Sequence, residues 1–214
     1  MTPNEVITEV RRIIQDTREP YRYSDAVLLG FVNQTLKRMV MLRPDLFAVI
    51  SDFTTAAGTV LQNCPADSTR LIEIFQVKNG NAVTEVNRST LDRTVPGWLN
   101  ETPGQPVNFM RHVRNPNRFF VYPAPAAGVV LVGEYAQTPP DYTINQEVTF
   151  PTDTYFPAVI DGTVFLAESI DNEHVSSGRA KLFQESFVQA LGVSLQSRTL
   201  TDTPSAGLDP KEVI

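Results

Sequence analysis

Residues that commonly carry chemistry are scarce in this chain of 214 residues, which has one cysteine, two histidines and one tryptophan. The single cysteine, Cys64, excludes an internal disulfide bond and is typical of folding in a reducing compartment. We expect it to pack as a small, half-buried hydrophobe. His112 and His174 stand in no metal-ligand spacing, and no second cysteine is present to complete a zinc site. We therefore expect no metal centre.

Sequence motifs of catalysis are missing as well. The chain has no G-x-S-x-G nucleophile elbow and no glycine-rich phosphate loop. A Ser-His-Asp triad, whose members meet only in the folded chain, and a glycosidase pair of carboxylates stay open at this stage. Since no residue pattern marks either, we expect no enzymatic activity and no cofactor.

Long apolar runs are also absent, so we expect no helix that crosses a membrane. Residues 1–5 have neither the basic flank nor the apolar segment of a secretory signal, and we expect none. Hydrophobic residues make up 42% of the chain and charged residues 20%, close to globular averages. The composition predicts a packed globular protein of one or two domains.

Positive charge is missing from a long internal stretch. No lysine or arginine lies between residues 119 and 178, whereas eight of the 24 acidic residues lie there, which leaves 16 against 18 cations elsewhere. This acidic block either forms a solvated face, or meets a basic neighbour, or lines a passage for a polyanion. Just before it come Arg111, Arg114 and Arg118, which we expect at a subunit boundary facing the acids.

Helical periodicity marks both ends of the chain. Thr2, Pro3 and Glu5 predict a capping box, followed by a helix that ends near Arg18. Ser24 predicts the N-cap of a second helix, which Pro44 ends. Further helices are predicted from residue 153, capped by Thr152 or Asp153, and from about 174 to 197, the last one apolar on more than one side.

Between these helices the period changes to that of strands. Strands are predicted at 49–55, 59–62, 71–78, 82–86, 107–112, 118–122 and 129–135. Asn79-Gly80 and Asn115-Pro116-Asn117 predict two hairpin turns. A short helical turn is predicted at 89–94.

The fold class predicted is α+β, a bundle of N- and C-terminal helices with an inserted antiparallel β domain. Its boundaries are 1–48 plus 150–197 for the helical domain, 49–149 for the β-rich domain and 198–214 for an extended tail that a partner orders. Trp98, in a Pro-Gly turn, is either a plug over the edge of the β core or a ligand platform.

Short motifs in a fixed order carry a resemblance to a known family. They are Ser24-Asp25, Leu28-Leu29 and Asn33, then Arg43-Pro44-Asp45, Pro65-Ala66-Asp67, Leu71-Ile72-Glu73, Leu91-Asp92, Pro96 and Trp98, Phe120-Val121-Tyr122-Pro123, and Tyr155. Over residues 20–195 the chain resembles the head-to-tail adaptor (connector) proteins of short-tailed bacteriophages. Cys64 departs from the pattern, which has an aliphatic residue before the proline; this touches packing only.

The resemblance implies a virion structural protein that is made in the host cytoplasm and placed in the neck between head and tail. It implies a homo-oligomeric ring of about twelve copies that docks under the portal protein, contacts a downstream tail or nozzle protein, and lets DNA pass through its lumen without sequence-specific binding. No membrane partner is expected. The interface residues expected are Arg111, Arg114, Arg118, Glu168, Asp171, Arg198, Leu200, Leu208, Val213 and Ile214.

A second hypothesis stays open beside the first. The chain is then a different virion or baseplate module, or a β-rich ligand-binding domain, and forms a monomer or trimer with a ligand pocket near Trp98.

Overall fold

A computed structural model describes residues 1–149, 151–170 and 177–192. It has five α-helices: α1 (Pro3–Ile13), α2 (Asp25–Leu42), α3 (Arg88–Thr94), α4 (Phe156–Glu168) and α5 (Ser177–Ala190). Its seven strands are β1 (Ala48–Thr54), β2 (Leu61–Asn63), β3 (Ser68–Val77), β4 (Thr84–Glu85), β5 (Asn108–Arg111), β6 (Arg118–Tyr122) and β7 (Val130–Gln137). The α+β class with helical ends around a β region is confirmed.

The capping predictions for the first two helices are confirmed. The Thr2 side chain accepts a hydrogen bond from the Glu5 amide, and the Glu5 side chain accepts one from the Thr2 amide. Ser24 likewise accepts a hydrogen bond from the Val27 amide at the start of α2. These contacts satisfy amides that have no partner within the helix.

The end of α1 was predicted wrongly, since the helix stops at Ile13 and not near Arg18. Gln15 has a φ of 59°, in the left-handed region that a right-handed helix cannot continue through. A buried ion pair then holds the connection to α2, because the Arg11 guanidinium lies 2.8 Å from the Asp16 carboxylate. Asp16 also accepts hydrogen bonds from the Arg22 and Tyr23 amides. The periodicity gave no sign of this polar turn.

The helical core forms where α4 packs against α1, α2 and α5. Gly162 of α4 makes the approach possible, because a Cβ atom there would lie 2.5 Å from Thr35 Cγ2 and 3.0 Å from the Phe187 ring. The core is closed by fully buried side chains from α1, α2 and α4 and the end of α5: Val6, Val10, Leu28, Val32, Leu36, Met39, Val164 and Leu191.

The predictions for the C-terminal helices are partly confirmed, since the start of α4 differs from the predicted one and the apolar faces of α5 agree. Thr152 precedes a short 3-10 turn at Asp153–Tyr155, and α4 itself begins at Phe156 with Pro157 in its first turn. On α5, Phe187 and Val188 are buried whereas Leu182 is 66% exposed, so apolar residues lie on two sides as predicted. Residues 193–197, predicted to extend this helix, lie outside the described ranges.

The strands form two sheets. One has the order β1-β7-β3 and is antiparallel throughout, and the other has the order β2-β6-β5-β4. Within the second sheet β4 runs parallel to β5, which corrects the expectation of a purely antiparallel domain. The pairing of strand β3 with β7 has three register shifts, and β3 buries every third residue, Ser68, Leu71, Ile74 and Val77, in place of every second one.

The two hairpin predictions have different outcomes. The Asn115–Asn117 turn joins the antiparallel strands β5 and β6, as predicted. The turn at Asn79-Gly80 is present, but the ladder beyond it is short, because β4 leaves β3 and pairs with β5 in the other sheet. The turn signal was right, and the tertiary pairing decided where the following strand went.

Trp98 closes the edge of the second sheet. Its side chain is 1% exposed and packs with Leu91 and Met110, and its ring meets Phe120 edge-on at 6.1 Å. The indole nitrogen donates to Asp92 at 2.8 Å. Of the two alternatives for Trp98, the plug is confirmed, and the indole is not presented to a ligand.

The predicted domain boundaries, 1–48 plus 150–197, 49–149 and 198–214, stay a prediction.

Candidate interaction surfaces

No reactive constellation marks the part of the chain that the structure describes. In residues 1–149, 151–170 and 177–192 no group of three His, Cys, Asp or Glu side chains is placed to hold a metal ion. His112 has a local structural role, since its Nδ1 accepts hydrogen bonds from the Arg114 and Asn115 amides and its ring stacks on Phe120. His174 lies outside the described ranges. Among these same residues every helix is too short or too polar to cross a bilayer.

The predicted arginine cluster lies at the end of the β5–β6 hairpin, and one of its members is held within the chain. Arg111 Nε donates to Glu85 at 2.7 Å, and its other nitrogens donate to the carbonyls of Leu71 and Ile72. Arg111 therefore ties β5 to β3, and its charge is balanced by Glu85. Its predicted role at a subunit boundary stays a prediction.

The other arginines of this cluster have no such partner among the residues that the structure describes. Arg114 and Arg118 are exposed, and neither forms an ion pair with any residue in the described ranges. Arg70 of β3 joins them, lining the same 240 Å³ cleft as Arg118, which the sequence gave no reason to expect. At the tip Val113 is 98% exposed. We call Arg70, Val113, Arg114 and Arg118 the cationic hairpin.

The loop that carries this tip is fixed to the sheet. The Pro116 and Asn117 carbonyls accept hydrogen bonds from the Leu71 and Cys64 amides at 3.0 and 2.9 Å. The Asn117 side chain donates to the Ser68 carbonyl at 2.9 Å. An apolar tip between cations is thus presented on a backbone that is already ordered.

The acidic block is dispersed in the fold, and several of its members have separate local partners. Asp141 pairs with Lys37 at 2.5 Å, and Asp161 accepts from Ser186 at 2.6 Å. Glu168 is only 3% exposed and lies 4.0 Å from Arg179. The predicted role of Glu168 at an interface stays a prediction. Of the other predicted interface residues, Asp171, Arg198, Leu200, Leu208, Val213 and Ile214 lie outside the described ranges.

An acidic pocket that the sequence did not predict lies between α1 and the start of α4. It has a volume of about 540 Å³ and carries the carboxylates of Glu5, Glu9 and Asp153, with Met1 and Phe156 among its lining residues. The Met1 amino group donates to Asp153 at 2.7 Å, and this bond raises the pKa of the amine. Asp153 is 148 residues from Glu5, so no local pattern could have brought them together.

An apolar groove opens between α2, α4 and α5. It has a volume of about 560 Å³, and its apolar lining includes Met41, Leu42, Phe165, Phe187 and Val188, with Lys37 and Arg38 at the rim. Of the lining side chains, Met41 is 73% exposed and Leu42 is 38% exposed. Exposed apolar area of this kind commonly marks an interaction surface. We call it the helical groove.

The motifs that carry the family resemblance hold the fold together. Arg43 forms a bidentate pair with Asp45 and donates to the Leu191 carbonyl at 2.5 Å, so it ties the end of α2 to the end of α5. Its guanidinium holds the pKa of Asp45 below the ordinary value. Asn33 exchanges two hydrogen bonds with the backbone of Tyr142, one in each direction. These residues position the surfaces described above.

Comparison with known proteins agrees with the resemblance. The sequence model of the SU10 adaptor protein family matches residues 1–208. No curated protein matches the chain. Because the match spans nearly the whole sequence, the chain belongs to the SU10 adaptor protein family, a family of phage head-to-tail adaptors, and is a structural component of a virion and not a member of an enzyme family.

Proposed function

We propose that this adaptor assembles into a ring that docks under the portal, joins the capsid to the tail and surrounds the path of the DNA. The ring holds about twelve copies, and its neighbours meet through unlike faces. The segment 198–214 binds the portal, and a downstream tail or nozzle protein binds the opposite side.

The helical groove is the single observation that carries this proposal. Met41 is 73% exposed and Leu42 38% exposed in this groove, and contiguous exposed apolar area is typical of a surface that a partner covers. Burial of such area contributes roughly 25 cal/mol per Å², which adds up when every copy of a ring buries it against the next. We assign the groove to the contact with the neighbouring copy.

The alternative of a β-rich ligand-binding domain has less support. It required a pocket near Trp98, and that indole is buried and hydrogen-bonded to Asp92. The arrangement around Trp98 is that of a core, with Leu91, Met110 and Phe120 packed against the ring.

The experiment combines the full chain with the portal protein of the same phage and examines the mixture by electron microscopy and analytical ultracentrifugation. We expect a ring of adaptors on each portal. The variant Met41→Glu places charge in the groove at an exposed position, so we expect it to fold normally and to form no ring.

The matched control is Lys181→Glu, a charge change at an exposed position of α5 that does not line the groove. We expect this variant to assemble. A chain that neither binds the portal nor assembles on it would refute the proposed function, and rings formed by the Met41→Glu variant would remove the groove from the interface.

A further inference from the structure

We propose that the cationic hairpin of one copy inserts into the acidic pocket of the next copy. The inference rests on the proposed ring and names a second pair of surfaces that join its neighbours. Two surfaces of the same chain point to this contact. The β region carries an apolar tip flanked by cations on an ordered loop, and the helices carry a pocket lined by carboxylates.

The hairpin has the properties of an inserted element. Val113 at the tip is 98% exposed, so its side chain gains nothing from its own chain. Arg114 and Arg118 beside it form no ion pair within the described ranges. Because the loop is already hydrogen-bonded to β2 and β3, docking orders little backbone, and the entropic cost of association is low.

The pocket has the complementary properties. About 540 Å³ is enough for an aliphatic side chain together with an arginine head group, and Phe156 supplies apolar lining. Glu9 and Asp153 keep 37% and 77% of their side-chain surface exposed, although each already contacts a cation of its own chain. A carboxylate has two oxygens and about four acceptor positions, so each accepts a further arginine. Glu5 adds a third carboxylate whose partner is a neutral amide.

A second copy fits the hairpin better than nucleic acid does. A phosphate backbone offers arginines their partners but leaves an apolar tip in water, whereas the acidic pocket accepts both the charges and Val113. The helical groove is unsuitable as the receiving site, because Lys37 and Arg38 at its rim repel the hairpin arginines. Since hairpin and pocket are different surfaces, the contact is heterologous and continues from copy to copy until the ring closes.

The test is a charge exchange measured on portals. The hairpin-reversed variant is Arg114→Glu/Arg118→Glu, and the pocket-reversed variant is Glu9→Lys/Asp153→Lys. Each alone opposes like charges at every contact, so we expect at least tenfold weaker assembly from each. An equal mixture of the two restores complementary contacts when the variants alternate around the ring, and we expect it to assemble.

The matched control is Arg93→Glu, which removes an exposed arginine of α3 that lies outside the hairpin. We expect it to assemble as the unmodified chain does, and circular dichroism should show unchanged folding for all variants. A second experiment places cysteines at Val113 and Thr8, the latter in the pocket lining. We expect oxidation to link portal-bound copies into a covalent series that extends beyond dimers, which neither single cysteine gives.

Each possible result either supports or overturns the contact between the cationic hairpin and the acidic pocket. Normal assembly by the hairpin-reversed and pocket-reversed variants separately would overturn the contact and leave the ring intact. Weak assembly by both without recovery in the mixture would overturn the pairing of these two surfaces. Loss of DNA retention by the hairpin-reversed variant, with normal assembly, would assign the hairpin to nucleic acid. No portal binding by the unmodified chain would overturn the proposed function together with this inference.

Discussion

Replacement of Arg11 by alanine removes the cation at the centre of the turn between α1 and α2. The Arg11 side chain is 10% exposed and that of its partner Asp16 is 5% exposed. Arg11 also donates to the Tyr23 carbonyl at 2.8 Å and to Asp25 at 2.6 Å. The alanine variant therefore leaves a buried carboxylate and a carbonyl without their strongest donor.

The loss in the free energy of unfolding depends on the hydrogen bonds that Asp16 still accepts in the variant. Removal of one partner of a buried ion pair costs about 3–5 kcal/mol. Asp16 still accepts from the Arg22 and Tyr23 amides at 2.7 and 3.2 Å, so we expect the lower end, about 3 kcal/mol. For a protein of this size 1 kcal/mol lowers Tm by roughly 2–4 °C, which gives a fall of about 6–12 °C.

The next residue on the helix provides the control. Arg12 is 68% exposed and pairs with Glu9 on the surface of α1, so its replacement by alanine should change the free energy of unfolding by less than about 0.5 kcal/mol. Urea and thermal unfolding of both variants, followed by circular dichroism, give the comparison. Equal losses for Arg11→Ala and Arg12→Ala would refute the reasoning, because the two differ chiefly in burial.

Two further predictions concern packing and reactivity. Gly162→Ala should lower the free energy of unfolding by about 1–3 kcal/mol in a urea titration, because the added methyl group meets Thr35 and the Phe187 ring at 2.5 and 3.0 Å. Burial raises the pKa of Cys64 to about 11, so at pH 8 its reaction with a thiol reagent should be on the order of 100 times slower than that of an unfolded thiol and should accelerate as the pH rises.

Each of these has its own control. Gly178→Ala adds the same methyl group to a helix position with no atom within 4 Å, and we expect it to be neutral or to stabilise by about 0.4–1 kcal/mol. A Gly162→Ala variant as stable as Gly178→Ala would mean that α2, α4 and α5 do not pack as described. For Cys64 the control is the same reaction in denaturant, and a folded chain that reacts at the unfolded rate would contradict the burial.

Local chemistry made several elements predictable. The capping box at Thr2 and the Ser24 cap depend on residues three positions apart, and both were correct. The β5–β6 hairpin was likewise set by its own turn residues. The ordered motifs indicated the family, and their physical roles are now visible as contacts that hold helices and sheet edges, such as Arg43 on the Leu191 carbonyl.

The failures have a common cause. The early end of α1 depends on Asp16, whose buried partner and acceptor role are set by the fold and not by helical period. The pairing of β4 depends on which of the two sheets it joins, and the Asn79-Gly80 turn does not determine that.

The sequence by itself determined the α+β class, the starts of α1 and α2, the hairpin turn at Asn115–Asn117 and the family, because each depends on neighbours in the chain. Only the tertiary structure decided which charges are free and which are held. It brought Asp153 beside Glu5 across 148 residues and Arg70 beside Arg118 across 48, and it gave Arg111 an internal partner. Surfaces are formed by residues distant in sequence, and no period or spacing along the chain encodes those encounters.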